Sequence, residues 1–183
     1  NNPYSYIDNN IKGFINILEC CRECSIENLI YASSSSVYGG NTELPFKEDQ
    51  HIDQPLNLYA VTKRANELMS FTYSNLFKIQ TVGIRFFTAY GPWGRPDMAL
   101  SIFANSILND DPINVYNNGN MIRDFTYIDD IIFGTTKIIQ EIDKIFSAKS
   151  SDSVPHEVFN LGNGSSETLL SYIKCLEKCL NKK

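Results

Sequence analysis

The chain has 183 residues, of which 43% are hydrophobic and 20% are charged, and its formal net charge is −5. This composition is typical of a globular protein, and the chain is long enough to bury a sizeable core. Because it shows no basic cluster, no membrane-length apolar run and no signal peptide, neither nucleic acid nor a membrane is an expected partner, and a cytoplasmic location is expected.

The first half of the chain alternates helical and strand patterns. Apolar residues from Ile11 to Cys21 recur at helical spacing and predict an amphipathic helix that ends near Ser25. The short apolar run Asn28–Ser33 predicts a buried strand, and a polar loop with glycine and proline separates it from a second helix, Asn57–Phe77. The expected buried stripe of this second helix is Leu58, Val61, Ala65, Leu68, Thr72 and Leu76.

The second half continues the alternation. The predicted elements are a strand over Thr81–Phe87, a glycine- and proline-rich loop over Thr88–Asp97, a helix over about Met98–Leu108 and a strand over Ile113–Tyr116. A long helix follows, with one face expected to carry Ile128, Ile131, Ile132, Thr135, Ile138, Ile139 and Ile142. The serine-rich segment Ser147–Val154 is expected to be a loop, Glu157–Leu161 a strand, and Ser165 or Ser166 the cap of a last helix.

Helices that alternate with short apolar strands predict an α/β fold with a doubly wound parallel sheet. In such sheets the ligand lies beyond the carboxyl ends of the strands. Two polar clusters follow strand ends here, namely the serine run after the first strand and the segment from Thr88 onward after the second.

Five cysteines are present: Cys20, Cys21, Cys24, Cys175 and Cys179. The first three fall in a helical pattern, and the only two histidines, His51 and His156, lie in predicted polar loops, so the spacing does not resemble the paired ligands of a zinc site. We expect reduced thiols on helix faces rather than disulfides, and no bound metal.

Tyr59 and Lys63 are four residues apart on a predicted helix and therefore share a face. A nearby ammonium group favours the phenolate form of a tyrosine, which can then act as a base. This spacing is common by chance, and a surface tyrosine beside a solvated lysine is the alternative. The four serines Ser33–Ser36 at a strand end strengthen the functional interpretation, because a hydroxyl there can bind a substrate oxygen and relay its proton.

Four segments together carry a family resemblance: YASSSSVYG, Tyr59-Ala-Val-Thr-Lys63, IRFFTAYGPWGRPDMA and RDFTYIDDI. The chain resembles the extended short-chain dehydrogenase/reductases of the NAD-dependent epimerase/dehydratase family, and among them UDP-glucuronate 4-epimerases of the capsular polysaccharide type. The resemblance covers nearly the whole chain. It implies that residues 1–90 are the C-terminal part of a Rossmann-like NAD-binding domain. Residues 91–183 would be a smaller UDP-sugar lobe, interleaved with Rossmann elements that return over about 123–162.

The resemblance also implies roles for individual residues. Tyr59 would be the general base and later the acid, Lys63 would bind the nicotinamide ribose, and Ser34 would complete the catalytic triad, with Ser36 as the alternative. Asn9 and Phe86 would lie near the NAD cofactor together with Tyr59 and Lys63, although Phe86 and Phe87 would equally suit a core. The residues implied to bind the UDP-sugar are Ser35, Ser36, Thr88, Arg95, Tyr116 and Arg123. A surface ion pair is the alternative for either arginine.

The implied reaction is NAD-dependent 4-epimerisation of a UDP-sugar, with UDP-glucuronate as the expected substrate. Related dehydratases and decarboxylases carry an acid just before Val-Tyr-Gly, where this chain has Ser35 and Ser36. Another enzyme of the same family remains an alternative, as does a truncated, non-catalytic UDP-sugar-binding fragment. The glycine-rich dinucleotide turn of the family is not in this sequence, so we expect a fragment that lacks the N-terminal part of the Rossmann domain. The family also implies a homodimer.

Overall fold

The structure is a computed structural model that describes residues 2–150 and 152–182. It divides into two compact units, each built from two separate stretches of chain. The first unit comprises 1–86 and 134–161, and the second comprises 87–133 and 162–183. Within the described residues, no helix is both long enough and apolar enough to cross a membrane.

The first unit contains a three-stranded parallel sheet. Its strands are β1 (Asn28–Ser34), β2 (Gln80–Phe86) and β5 (His156–Leu161), with β2 in the centre. The helices of this unit are α1 (Pro3–Tyr6), a π-helical segment (Ile7–Lys12), α2 (Gly13–Glu23), α3 (Leu58–Phe77) and most of α5 (Ile128–Ser147). Ser34 pairs with Phe86 and Phe86 with Leu161, so the three strands end at the same edge. The predicted α/β class and parallel pairing are confirmed.

One face of this sheet is covered by α5. Val82 and Ile84 of β2 pack with Ile142 and Phe146 of α5 in a buried cluster. The isoleucines of α5 do not all lie on its buried face, however. Ile131 and Ile142 are buried, whereas Ile132 and Ile139 are more than half exposed, so the predicted single face is only partly correct.

The orientation predicted for α3 is wrong. Leu68 and Leu76 are more than half exposed, and the fully buried side chains are small or polar: Ala60, Thr62, Asn66, Glu67, Ser70 and Ser74. The physical reason is that α3 lies against strands whose own side chains include buried serine and arginine, so its inward face supplies hydrogen bonds.

The second unit contains short strands and two main helices. Its elements are β3 (Thr88–Tyr90), α4 (Ala99–Leu108), a 3-10 turn (Tyr116–Gly119), β4 (Ile122–Tyr127), β6 (Ser166–Thr168) and α6 (Leu169–Leu180). Strand β4 lies between β3, which is parallel to it, and β6, which is antiparallel. Phe103, Leu169 and Ile173 form the buried cluster of this unit.

Two predictions for the second unit are wrong. Residues 113–115 form no strand, because the alternating Ile113 and Val115 pack against the buried cluster of α4 and α6 instead of pairing with a neighbour. Ser166 does not cap the last helix, because it lies in β6; the side chain of Thr168 caps α6 by accepting a hydrogen bond from Ser171 N at 3.1 Å.

His156 is the first residue of β5 and pairs with Thr81 of β2, so its predicted place in a polar loop is wrong. Its burial should make the stability of the protein depend on pH. Burial lowers the pKa of His156 from 6.5 to about 4. The unfolded chain therefore binds more protons than the folded chain between these values, and stability is full above about pH 6.5 and falls as the pH drops towards 4. We expect His156→Gln to remove this slope in urea unfolding measured across pH 5–7, above the range in which carboxylates titrate.

The exposed His51 provides the matched control, because its side chain is 90% accessible. His51→Gln should leave the slope of the wild-type protein in place. Equal slopes in His156→Gln and the wild-type protein would contradict the prediction.

Candidate active site

The serine run forms the carboxyl end of β1 and a 3-10 turn, Ser35–Tyr38. Ser34 caps this turn, because its Oγ accepts hydrogen bonds from Ser36 N at 3.2 Å and from Ser36 Oγ at 2.9 Å. The side chains of Ser34, Ser35 and Ser36 are half-buried. The turn therefore presents three neighbouring hydroxyls at the edge of the sheet where parallel-sheet proteins bind ligands.

Gly39, the glycine of the Val-Tyr-Gly segment, ends the turn in a conformation that requires glycine. Its φ is 56°, and a Cβ at this position would lie 2.0 Å from the carbonyl oxygen of Gln54. Only glycine adopts this conformation and tolerates this approach without strain. The conformation lets Gly40 N donate to the same Gln54 oxygen at 3.1 Å, which fixes the exit of the chain from the turn.

Tyr59 and Lys63 lie in the first two turns of α3, beside the serine turn. Asn57 caps the helix by accepting a hydrogen bond from Ala60 N at 2.8 Å. The ammonium group of Lys63 donates to Ala32 O of β1 at 3.0 Å and lies 5.9 Å from the centre of the Tyr59 ring. Burial lowers the pKa of Lys63. Tyr59 is about one-third exposed and accessible to a ligand.

The other two residues implied to lie near NAD, Asn9 and Phe86, have structural contacts of their own. The amide of Asn9 donates to Ser5 O at 2.8 Å within its own helical turn, whereas the next residue, Asn10, donates to Thr62 Oγ1 of α3 at 2.9 Å. Phe86 packs against the buried cluster around Val82, in agreement with the alternative of a core aromatic.

The second unit holds the other candidate substrate residues. Thr88 begins β3, and Arg123 is an exposed residue of β4 whose Nη1 donates to Ile122 O at 3.0 Å. Arg95 forms an exposed two-bond ion pair with Asp97. Tyr116 is 78% exposed. The structure thus brings Ser34, Tyr59 and Lys63 together in one unit and places Thr88, Arg95, Tyr116 and Arg123 in the other.

A buried ion pair beside the serine turn was not predicted. Arg85 of β2 is 2% exposed and donates to the carboxylate of Glu67, which is 1% exposed, through Nε at 2.9 Å and Nη2 at 3.0 Å. The signal was present in the sequence, because an arginine inside an apolar strand requires a buried anionic partner. Glu67 is four residues after Lys63, on the same helix face as the candidate dyad.

Asp124, next to Arg123, was also not singled out. Its Oδ1 accepts hydrogen bonds from Thr126 Oγ1 and Asn163 N, both at 2.9 Å, and its Oδ2 accepts from Gly164 N at 2.7 Å. The Gly162-Asn163-Gly164 segment is thus a loop held on a carboxylate of β4. Here the sequence offers only a weak signal, since nothing in the local pattern links residues about forty apart.

All five cysteines are free thiols, and only Cys21 is buried. Among residues 2–150 and 152–182, no group of three or more histidine, cysteine, aspartate or glutamate side chains is arranged to hold a metal ion.

Comparison with known proteins identifies the family. Residues 1–162 match the model of the NAD dependent epimerase/dehydratase family, and the chain belongs to that family. It is 52% identical over 188 aligned positions to the protein CapI of Staphylococcus aureus, covering 99% of this chain and 56% of CapI. It is 40% identical to a probable UDP-glucuronate 4-epimerase of Rhizobium meliloti, covering 99% of this chain and 55% of that protein.

The fold matches solved structures of the same family. One is the UDP-glucuronic acid 4-epimerase of Bacillus cereus in complex with UDP-glucuronic acid and NAD, which is 35% identical, with a TM-score of 0.84 over 97% of this chain and 53% of that one. The expected Rossmann-like α/β fold and the family resemblance are confirmed. The chain spans about half the length of the relatives that it matches.

Replacement of Asp124 should loosen the 162–164 loop. In Asp124→Asn, an NH2 group replaces one of the two carboxylate oxygens, so one of the backbone N–H groups of Asn163 and Gly164 loses its acceptor, and we expect a loss of about 1–3 kcal/mol in the free energy of unfolding. Asp143→Asn, an exposed site on α5, is the control and should stay within about 0.5 kcal/mol of wild type. Urea unfolding measures both, and equal losses would refute the assignment.

Proposed function

We propose that this chain is part of an NAD-dependent 4-epimerase that converts UDP-glucuronate to UDP-galacturonate. The observation that carries the proposal is the arrangement of Tyr59, Lys63 and the Ser34 turn at the carboxyl ends of parallel strands. The relatives support it, because the Bacillus cereus structure with UDP-glucuronic acid and NAD matches nearly the whole of this chain.

The residues of the first unit fit the nicotinamide end of NAD. A lysine ammonium has three donors, and in the described part of the chain that of Lys63 makes one hydrogen bond, to Ala32 O. Two donors are therefore available for ribose hydroxyls next to Tyr59. The glycine-rich turn that binds the pyrophosphate in this fold is not among the 183 residues. The residues present account for the nicotinamide end of the cofactor only.

The chemistry that NAD supplies when bound is reversible hydride exchange with C4 of the sugar, through a 4-keto sugar. Tyr59 accepts the proton of the 4-hydroxyl and later returns it. The ammonium group of Lys63 lies 5.9 Å from the centre of the Tyr59 ring, where a positive charge stabilises negative charge that develops during the transfer. Ser34 binds the same sugar oxygen through its hydroxyl and orients it towards Tyr59.

The remaining candidates suit an anionic nucleotide sugar. Ser35 and Ser36 offer hydroxyl donors to the uronate carboxylate without a negative charge that would repel it. Arg123 has a guanidinium suited to the pyrophosphate, and Arg95 one suited to the carboxylate. Thr88 is proposed to contact the sugar and Tyr116 to flank the uracil.

The decisive test is conversion of UDP-glucuronate by the product of the complete reading frame, with NAD added and proton NMR following the sugar. UDP-galacturonate should appear. In Tyr59→Phe the rate should fall by about 10²–10⁴-fold because the general base is lost, while binding of the UDP-sugar, measured by calorimetry, should change little.

Tyr73→Phe is the matched control, because Tyr73 lies on the same helix and its hydroxyl donates to Glu19, away from the serine turn. It should keep wild-type turnover. Conversion of UDP-glucose in place of UDP-glucuronate would show that the substrate assignment is wrong. Binding of UDP-sugar without any turnover would favour a non-catalytic binding protein.

A homodimer is also proposed, with α3 and α2 in the interface. Val61, Leu68, Phe71 and Leu76 form an apolar stripe along the outer face of α3 and are 43–63% exposed. Ile17 of the neighbouring helix α2 is half exposed as well. Contiguous apolar surface of this kind is typical of protein–protein interfaces.

A negative charge introduced into this stripe should dissociate the dimer. Because a symmetric interface contains each residue twice, Leu68→Glu should raise the dissociation constant of the dimer by about 100-fold. Leu56→Glu, at a 75% exposed residue that precedes α3, should leave it unchanged. Light scattering coupled to size-exclusion chromatography measures both variants, and a monomeric wild-type protein would refute the proposal.

The cytoplasm is the proposed location. Cys20, Cys24, Cys175 and Cys179 are exposed free thiols, and such thiols persist in reducing compartments.

A further inference from the structure

The carboxylate of Glu67 receives four hydrogen bonds in a buried site. Two come from Arg85, one from Arg64 Nη1 at 3.0 Å, and one from Ser33 Oγ at 2.6 Å. Burial alone would raise the pKa of Glu67, but the hydrogen bonds and charge of Arg85 together with the Ser33 hydroxyl hold it below its ordinary value. The carboxylate is therefore ionised and fully satisfied.

Arg85 extends the same network to the far side of the serine turn. Its Nη1 donates to Tyr38 Oη at 2.9 Å, and Tyr38 Oη donates to Asn160 Oδ1 of β5 at 2.6 Å. The guanidinium also lies 4.9 Å from the centre of the Tyr38 ring. Ser33 directly precedes the candidate catalytic serines, and Tyr38 ends the turn that contains them. The network thus holds both ends of the segment Ser34–Val37.

The same carboxylate belongs to the helix that carries the proposed base. Glu67 lies four residues after Lys63 and eight after Tyr59, on one face of α3. Lys63 joins α3 to Ala32 of β1, and Glu67 joins α3 to Ser33 of β1. Helix and strand are therefore connected at two successive residues immediately before Ser34.

We propose that Glu67 is a positioning residue, which, together with Arg85, uses the Ser33 hydroxyl to fix the serine turn relative to Tyr59 and Lys63. The inference rests on the proposed function, since it concerns the same site. A buried ion pair is often no more stabilising than well-packed apolar side chains. Its directional hydrogen bonds, however, define a single register between α3 and β1, which apolar contacts do not.

The test deletes one hydroxyl. Glu67→Gln would leave Arg85 without its counter-ion and endanger folding, so Ser33→Ala is the informative variant. Ser74→Ala is the matched control. Ser74 is a fully buried serine of α3 whose Oγ lies 2.6 Å from both Ile79 O and Pro155 O, two turns beyond Glu67 and away from the serine turn. Each variant loses one buried hydroxyl that bonds a neighbouring element.

Kinetics and hydrogen exchange are measured on the full-length enzyme with NAD. In Ser33→Ala we expect kcat to fall about 10- to 100-fold, as misplacement of a reacting group does, with KM changed less than about threefold because the binding groups remain. Amide exchange over residues 34–38 should accelerate. Ser74→Ala should keep kcat within about twofold and leave exchange over 34–38 unchanged. This should hold even if the melting temperature of Ser74→Ala falls as much as that of Ser33→Ala.

The outcomes separate the inference from the proposed function. If the wild-type protein leaves UDP-glucuronate unchanged, the substrate assignment fails, and the two variants are compared on the UDP-hexose that the protein does convert. Equal kcat losses in the two variants, or no loss in Ser33→Ala, overturn the positioning role. Exchange needs no substrate, so unchanged exchange over 34–38 in Ser33→Ala overturns it in every case.

Discussion

The Glu67–Arg85 ion pair is the contact on which much of the first unit depends. It joins α3 to β2, and through Ser33 and Tyr38 it reaches β1, the serine turn and β5. A buried charge without its partner is strongly destabilising, so each of these elements is constrained by the others. The polar inner face of α3 is a consequence, since an apolar face there would leave Arg85 and Ser33 unsatisfied.

In this part of the structure, the buried residues are not the hydrophobic ones. In α5 and β2 the two coincide, because Val82, Ile84, Ile142 and Phe146 form an ordinary apolar core. In α3 they diverge, with serines and Glu67 inside and Leu68 and Leu76 outside. The inner face of α3 bonds to β1 and β2, and its outer face carries exposed apolar side chains.

The sequence predicted the parts of the fold that local patterns determine. Most helices, the parallel strands and the Tyr59–Lys63 pair followed from periodicity and spacing, because these features are set within a few residues. The orientation of α3, the absence of a strand around Ile113 and the loop held by Asp124 did not follow. Each depends on a contact with a residue distant in the sequence, such as Arg85 for α3 and Asn163 for Asp124. Local patterns and composition do not predict which distant residues come into contact. The family resemblance supplied the candidate roles of Asn9, Arg95 and Arg123, which the contacts of these residues do not test.

Because the two units are interleaved in the sequence, neither can fold completely early in translation. The first unit consists of residues 1–86 and 134–161, so its sheet lacks β5 until the ribosome has synthesised the whole intervening segment of the second unit. Until then β2 has one free edge, and the hydroxyl of Tyr38 lacks its acceptor, Asn160 Oδ1. The second unit likewise waits for α6, whose Leu169 and Ile173 complete its core. Neither unit corresponds to a contiguous gene segment, so recombination that exchanges a single stretch of DNA cannot transfer one unit without part of the other.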